Sequence, residues 1–225
     1  MNRPDFPRWT ILAFVEQLAA GTPLPGGGCA VSVAGALAAA LGSLSGQISL
    51  GKAADVDQQA ALAALQPQME RARQTFLDLI DADALAYHEV VLARRLPKQA
   101  EAERRQRDAA IAQAFARACE PPLHMARLGL DVLHWASLLA QQGSSVILAD
   151  VGVMGFLALA VVHGGLVNVL SNLTMMAGSP QTAAVGAEAA RLKIQAEQRG
   201  GEFAAFLYGR LPVTASTMEV SDPRP

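Results

Sequence analysis

The sequence predicts an all-α protein, a single-domain helical bundle with long buried helices. Of its 225 residues, 52% are apolar but only 5% aromatic, so the core must be built from small aliphatic side chains. Alanine and leucine favour helix, whereas strands want β-branched and aromatic residues, which occur here singly inside Ala/Leu stretches. No segment alternates with the period of two that a strand needs. One domain is the default at this length, and we expect it to span residues 1–209. Residues 210–225, with three prolines and little apolar content, read as a flexible tail.

Thr10 caps a first helix whose Ile11, Phe14, Val15 and Leu18 follow helical spacing, and Gly21 stops it. The loop Thr22 to Gly28 comes next. A second helix runs from about Cys29 to Lys52, almost wholly Ala, Gly, Ser, Val and Leu. The third enters near Asp55 or Asp57, is perturbed at Pro67 and ends before Leu96-Pro97. From Lys98 a charged helical stretch leads to Glu120-Pro121-Pro122; Leu123 to Gln142 form the next helix, stopped by Gly143. Ser144 to Ala149 is a short connection, and Asp150 to Ala177 reads as one long apolar helix. Ser179-Pro180 is a cap and first-position signal for a last helix reaching about Leu207.

The charge balance narrows the partners. Eighteen Lys+Arg stand against 20 Asp+Glu, net −2, with no long run of either sign, which argues against nucleic acid and against a polybasic membrane surface. Two cysteines, Cys29 and Cys119, fit neither a disulfide framework nor a four-ligand zinc site, and Glu16 stands where an apolar signal core would be. A cytoplasmic protein is expected. Cys29–Leu50 and Val146–Leu170 are long and apolar enough to raise a membrane question. Ser32, Ser43, Ser45, Gln47 and Ser49 in the first, and Asp150, His163 and Asn168 in the second, are costly in lipid, so both are read as helices hidden on all sides. A domain of this size hides two such helices most easily as a homodimer.

Several motifs carry chemistry. Gly46-x-x-x-x-Gly51-Lys52 spells most of a phosphate-binding loop, but Ala53 lacks the magnesium-binding hydroxyl and no strand precedes it, so that reading is rejected. Lys52, the first cation after a long uncharged helix, is either a helix-dipole partner or a ligand contact. Gly26, Gly27 and Gly28 leave helix-start N–H groups exposed to an anion or to a carbonyl gaining charge; the bland alternative is a tight packed turn. Asp83 and Tyr87, four apart, share a helix face, with His88 one position round. His124, His134 and His163 lack ligand spacing, and no metal is expected. Lys98, Arg104, Arg105 and Arg107 alternate with Glu101 and Glu103, the pattern of an ion-paired exposed helix. Asp150 opens the most apolar stretch, either as a simple cap or, facing a closed pocket, as a proton-transfer group. Asn168 lies five turns further along the same face, about 27 Å away at 1.5 Å per residue. The two therefore grip opposite ends of a long ligand or belong to different sites joined by symmetry.

Taken together, Thr22-Pro-Leu-Pro-Gly-Gly-Gly-Cys-Ala through Leu50-Gly51-Lys52, Asp83-x-x-x-Tyr87 leading to Leu96-Pro97-Lys98, and Ala149-Asp150-Val-Gly152 through Asn168-Val-Leu-Ser-Asn172-Leu resemble the cyclodeaminase/cyclohydrolase family. The likeness covers about residues 10 to 207, and no formiminotransferase half is expected. It implies an all-helical dimer that binds a tetrahydrofolate derivative at the subunit contact, with no metal and no cofactor beyond that substrate. Carried over position by position, it implies Asp150, Asp83 and Lys52 as catalytic, Asp150 first among the carboxylates. Gly26, Gly27, Gly28, Tyr87, Lys98 and Asn168 are implied as substrate-binding. Cys29 and Ser144 depart from the family pattern, where a small hydroxyl residue and an amide are usual. The implied reactions are hydrolysis of 5,10-methenyltetrahydrofolate to 10-formyltetrahydrofolate, or cyclisation of 5-formiminotetrahydrofolate with loss of ammonia. A non-catalytic helical dimer used for folate binding or assembly is the rival.

Overall fold

The computed structural model describes residues 5–176 and 180–211. Among them are seven α-helices, α1 (Ile11–Ala19), α2 (Gly27–Leu50), α3 (Val56–Arg94), α4 (Glu101–Ala118), α5 (Glu120–Gln142), α6 (Leu148–Thr174) and α7 (Pro180–Arg210), with 3₁₀ turns at Phe6–Arg8 and Ser145–Ile147 and no strand. The expected all-α fold is observed. The expected helix end at Ala177, the cap at Ser179 and most of the proposed tail lie outside the described residues.

Local chemistry sets the boundaries. The Thr10 hydroxyl accepts from the Ala13 N–H at 3.1 Å, and Gly21 takes the left-handed φ of 72° that ends α1. Asp55 caps α3 by accepting from the Gln58 N–H at 2.8 Å. α3 then runs 39 residues straight through Pro67, because buried Leu62, Leu65 and Met69 on either side hold it against the core. Packing there outweighs the proline's missing donor. α4 begins at Glu101 rather than Lys98, since the Glu103 carboxylate accepts from the Gln99 and Ala100 N–H groups at 2.8 and 3.0 Å and fixes the start. Pro121 and Pro122 lie in the first turn of α5 instead of separating two helices, as a first turn has no use for their missing N–H groups. α6 starts at Leu148, so Asp150 occupies its first turn and does not cap it. The Ser144 hydroxyl instead caps the preceding turn, accepting from Val146 N–H at 3.4 Å.

α2 is the axis of the bundle, packed on α3, α5 and α6, with α7 lying across α5 and α6. Its glycines form a ladder at heptad spacing. A Cβ added at Gly35 would come within 2.5 Å of the Phe76 ring, one at Gly42 within 2.6 Å of Met69 Sδ, and one at Gly28 would overlap the Asp83 carboxylate. Each step of seven up α2 is answered by a step of seven down α3, so the two helices run antiparallel in one fixed register. The Ser32 hydroxyl donates to the Phe76 carbonyl at 2.6 Å beside the middle rung. α2 and the stretch Ser145–Thr174 are both long and apolar enough to cross a membrane, with 44% and 50% of their most apolar windows buried inside the bundle. Within one chain they are only partly covered, since Leu37, Leu44, Val153, Val167 and Leu170 remain exposed.

Gly35→Ala should lower stability by about 1–2 kcal/mol, the cost of overpacking against Phe76 less the helix-propensity gain. Gly201→Ala, where a Cβ meets nothing within 4 Å, should raise it by up to about 1 kcal/mol. Urea unfolding of the pair checks the ladder; equal effects would contradict it.

Candidate functional site

At the end of the glycine ladder a carboxylate takes the place that apolar side chains fill at the other rungs. Asp83, on α3, projects against Gly28 in the first turn of α2, where only glycine leaves room for it. Burial pushes its carboxyl up to about 6, and the hydrogen bond from the Cys29 thiol, 3.7 Å from Oδ2, works in the opposite direction. The Cys29 sulfur is itself fully buried and lies 3.5 Å from the Ile80 carbonyl. Two positions earlier on α3, the Asp81 carboxylate accepts from the Phe6 N–H at 3.1 Å and so ties down the N-terminal turn.

Asp83 lies in the wall of a cavity of about 280 Å³. Pro23, Leu24, Gly26, Gly27 and Gly28 form one side, Asp83, Tyr87 and Val90 of α3 another, and Ala118, Asn168, Ser171 and Asn172 the rest. Six residues singled out from the sequence, Gly26, Gly27, Gly28, Asp83, Tyr87 and Asn168, therefore meet in one place. Gly26 is the N-cap of α2 without a side chain, so the N–H groups of the first turn open on this space, a setting that favours negative charge. No Lys, Arg or His is among the lining residues.

Two amides on α6 complete the wall. Asn168 donates to the Gly164 carbonyl at 2.8 Å, and its Oδ1 lies 3.9 Å from where a Cβ of Gly27 would be. Asn172, one turn further, donates to the Ala118 carbonyl at 2.8 Å. That carbonyl needs a donor because its helical partner four residues on is Pro122, which has no N–H. Ser171, Asn172, Val90 and Ala118 were not among the sequence candidates. The Pro-Pro pair was the available signal, since it predicts an orphan carbonyl at the end of α4 that some side chain must satisfy.

Lys52, Lys98 and Asp150 do not line this cavity. Lys52 is exposed in the turn after α2, and Asp150 is partly buried in the first turn of α6, both at the opposite end of the α2–α6 pair. The two helix ends are joined there by the Ser144 N–H donating to the Ser49 hydroxyl at 3.1 Å. Lys98 is exposed in the connection between α3 and α4. Among the described residues no group of three His, Cys, Asp or Glu side chains is placed to hold a metal ion.

Comparison with known proteins places the fold in a family. A family model described as formiminotransferase-cyclodeaminase matches residues 10–191. The methenyltetrahydrofolate cyclohydrolase of Methylorubrum extorquens is 33% identical over 163 residues, covering 72% of this chain and 78% of that protein. The formimidoyltransferase-cyclodeaminase of Rattus norvegicus is 32% identical over 169 residues, 74% of this chain, which spans only 31% of that protein's length. The crystal structure of formiminotetrahydrofolate cyclodeaminase from Thermotoga maritima superposes with a TM-score of 0.80 at 26% identity, over 90% of this chain and 97% of that one. With a match over most of its length and a shared helical architecture, the chain belongs to the formiminotransferase-cyclodeaminase family.

Proposed function

We propose that this protein hydrolyses 5,10-methenyltetrahydrofolate to 10-formyltetrahydrofolate at a site shared between two copies of the chain. The observation that carries the reading is Asp83, a carboxyl moved up to about 6 in a cavity that a helix N-terminus opens onto. At neutral pH it is largely ionised yet more basic than an ordinary aspartate, which suits a general base. Water bonds to the carbon between N5 and N10, and Asp83 takes one of its protons and passes it to solvent. The carbinolamine then opens as the C–N5 bond breaks, its hydroxyl proton passing to N5. Asp83 thus takes precedence over Asp150, which the sequence ranked first, because it lines the cavity.

The rest of the ligand needs a second surface. A cavity of about 280 Å³ falls just below the usual range for ligand sites, about 300–1,000 Å³, so it suits the ring and its one-carbon group but not the glutamyl tail. Asp150 lies about 27 Å along α6 from Asn168, beyond the reach of one reacting centre, and Lys52 is at the same far end. A two-fold partner laid antiparallel over the exposed Leu37, Leu44, Val167 and Leu170 would cover those side chains and bring its own Lys52 end to this cavity. Lys52 and Lys98 would then hold glutamyl carboxylates. We place the enzyme in the cytoplasm, as expected for the free thiols of Cys29 and Cys119, with neither metal, membrane nor nucleic acid as a partner.

The structural likeness to a formiminotetrahydrofolate cyclodeaminase favours a second reading, in which N10 attacks the formimino carbon and ammonia leaves. A carboxyl titrating near 6 serves that proton shuttle also. Absorbance of 5,10-methenyltetrahydrofolate should fall with added protein under the first reading and rise from 5-formiminotetrahydrofolate under the second. Binding without either change would leave only a folate-binding module.

Asp83→Asn should lower turnover roughly 10²- to 10⁴-fold with folate binding retained; a folded variant within about threefold of the parent removes Asp83 from the reaction. If the site is shared and also needs the partner's Asp150, Asp83→Asn and Asp150→Asn chains should each be inactive alone, and their mixed dimers should regain about a quarter of the activity, since half the dimers hold one intact site of two. No recovery would place both carboxylates in separate or single-chain roles. Stability should show the complementary sign. Because burial raises the Asp83 carboxyl, the folded chain holds its proton to higher pH than the unfolded chain does, so stability falls as pH rises from about 4 to about 6 and stays lower above. Asp83→Asn should therefore stabilise the protein by about 1–3 kcal/mol at pH 8 and leave it nearly unchanged at pH 4, by urea titration.

A further inference from the structure

We propose that Cys29 is a positioning residue for Asp83, its single thiol proton turning between Asp83 Oδ2 and the Ile80 carbonyl as the carboxyl gains or loses charge. The inference deepens the reading of Asp83 as the proton carrier and rests on that reading only for its activity measurement. The sulfur lies 3.7 Å from Oδ2 and 3.5 Å from the Ile80 carbonyl oxygen, both within reach of a thiol donor. A thiol has one proton, so it serves one acceptor at a time. Ionised Asp83 is the stronger acceptor and draws the proton to itself; once protonated, Asp83 releases the thiol to the carbonyl.

Three features suit Cys29 to this task. It is fully buried, so no water competes for the proton. Burial pushes the thiol up to about 12, the Gly26 N–H opposing and the charges of Asp83 and Asp81 adding, so it remains a donor throughout the range in which Asp83 titrates. Gly28, immediately before it, has no side chain and so leaves the space in which the Asp83 carboxyl lies against α2 beside the sulfur. Among the described residues, no Lys, Arg or His lines the cavity beside Asp83. The groups facing Asp83 are Cys29 from α2, Tyr87 from its own helix, the amides Asn168 and Asn172 with Ser171 from α6, the Ala118 turn of α4, and Pro23 and Leu24 of the loop. Asp81, on the same helix, is engaged by the Phe6 N–H. Cys29 is therefore a titratable neighbour that hydrogen-bonds the carboxyl, and its thiol opposes the larger upward effect of burial.

The test is to follow the Asp83 side-chain carboxyl carbon by NMR against pH in the parent, Cys29→Ala and Cys29→Ser proteins, with Asp83→Asn used to assign the resonance. Removing the donor in Cys29→Ala should move the titration up by about 0.5 to 1 pH unit, and the stronger hydroxyl donor of Cys29→Ser should move it down by a similar amount. The acid limb of kcat/KM should move in the same directions. Shifts below about 0.2 units in both folded variants would overturn the proposal, as would shifts in the same direction, which report altered burial instead of a donor. If Cys29→Ala does not fold, the serine variant decides alone: a downward shift supports the proposal and its absence overturns it. A protein that does not turn over either folate overturns the proposed function, while the titration still decides the role of Cys29.

Discussion

Everything in this bundle depends on the close approach of α2 to α3. Gly28, Gly35 and Gly42 offer no side chain at three successive heptad positions, and α3 fills those positions with Asp83, Phe76 and Met69. Close approach gives dispersion contacts along the whole length of both helices, which is how a core with so few aromatic residues reaches native packing density. It also removes any choice of register. Sliding one helix along the other by a turn would set Phe76 against a position that carries a side chain. The carboxyl that we place at the centre of the chemistry is held by the same device that holds the fold.

That coupling explains an otherwise awkward residue. An aspartate in a packed helix interface is a poor choice for stability, since an ionised carboxyl loses hydration there and finds only a thiol in return. The α2 N-terminus offsets part of that cost because its first-turn N–H groups point at the same space. What is gained is a carboxyl whose charge changes close to neutrality, at a place where the neighbouring backbone is too tightly packed to relax around it. Sites of this kind sit at the local conflict between stability and function, and here the conflict is confined to one rung of the ladder.

Much of this was legible in the sequence, and the reasons for the rest are specific. The all-α class, the Thr10 and Asp55 caps and the Gly21 stop follow from local rules, and they appear where those rules put them. Gly26, Gly27, Gly28, Asp83, Tyr87 and Asn168 were found as separate motifs and the fold brings them together. The helix expected to continue past Pro67 does so, whereas the Pro121-Pro122 pair was placed ahead of the helix it begins, because local propensity cannot tell an interruption from a first turn. Asp150 lost its place as a cap for a similar reason: the helix began two residues earlier, behind a turn capped by Ser144. The distance between the Asp150 and Asn168 ends could be read from helix rise alone, whereas which surface faces a partner could not, because a single chain carries no record of symmetry.

The corner between α4 and α5 has a further consequence, for how the chain tolerates changes of length. Cys119 alone separates the two helices, and the ring of Pro122 is what leaves the Ala118 carbonyl free for Asn172. An inserted or deleted residue at this corner would rotate the end of α4 by about 100° and turn that carbonyl away from α6. The floor of the cavity would then be rebuilt although no residue lining it had been replaced. The exposed connection at residues 95–100 joins two helices as well, yet it can lengthen or shorten without moving any cavity-lining backbone. Across related chains, gaps should therefore be absent between α4 and α5, where a single residue sets the floor of the cavity.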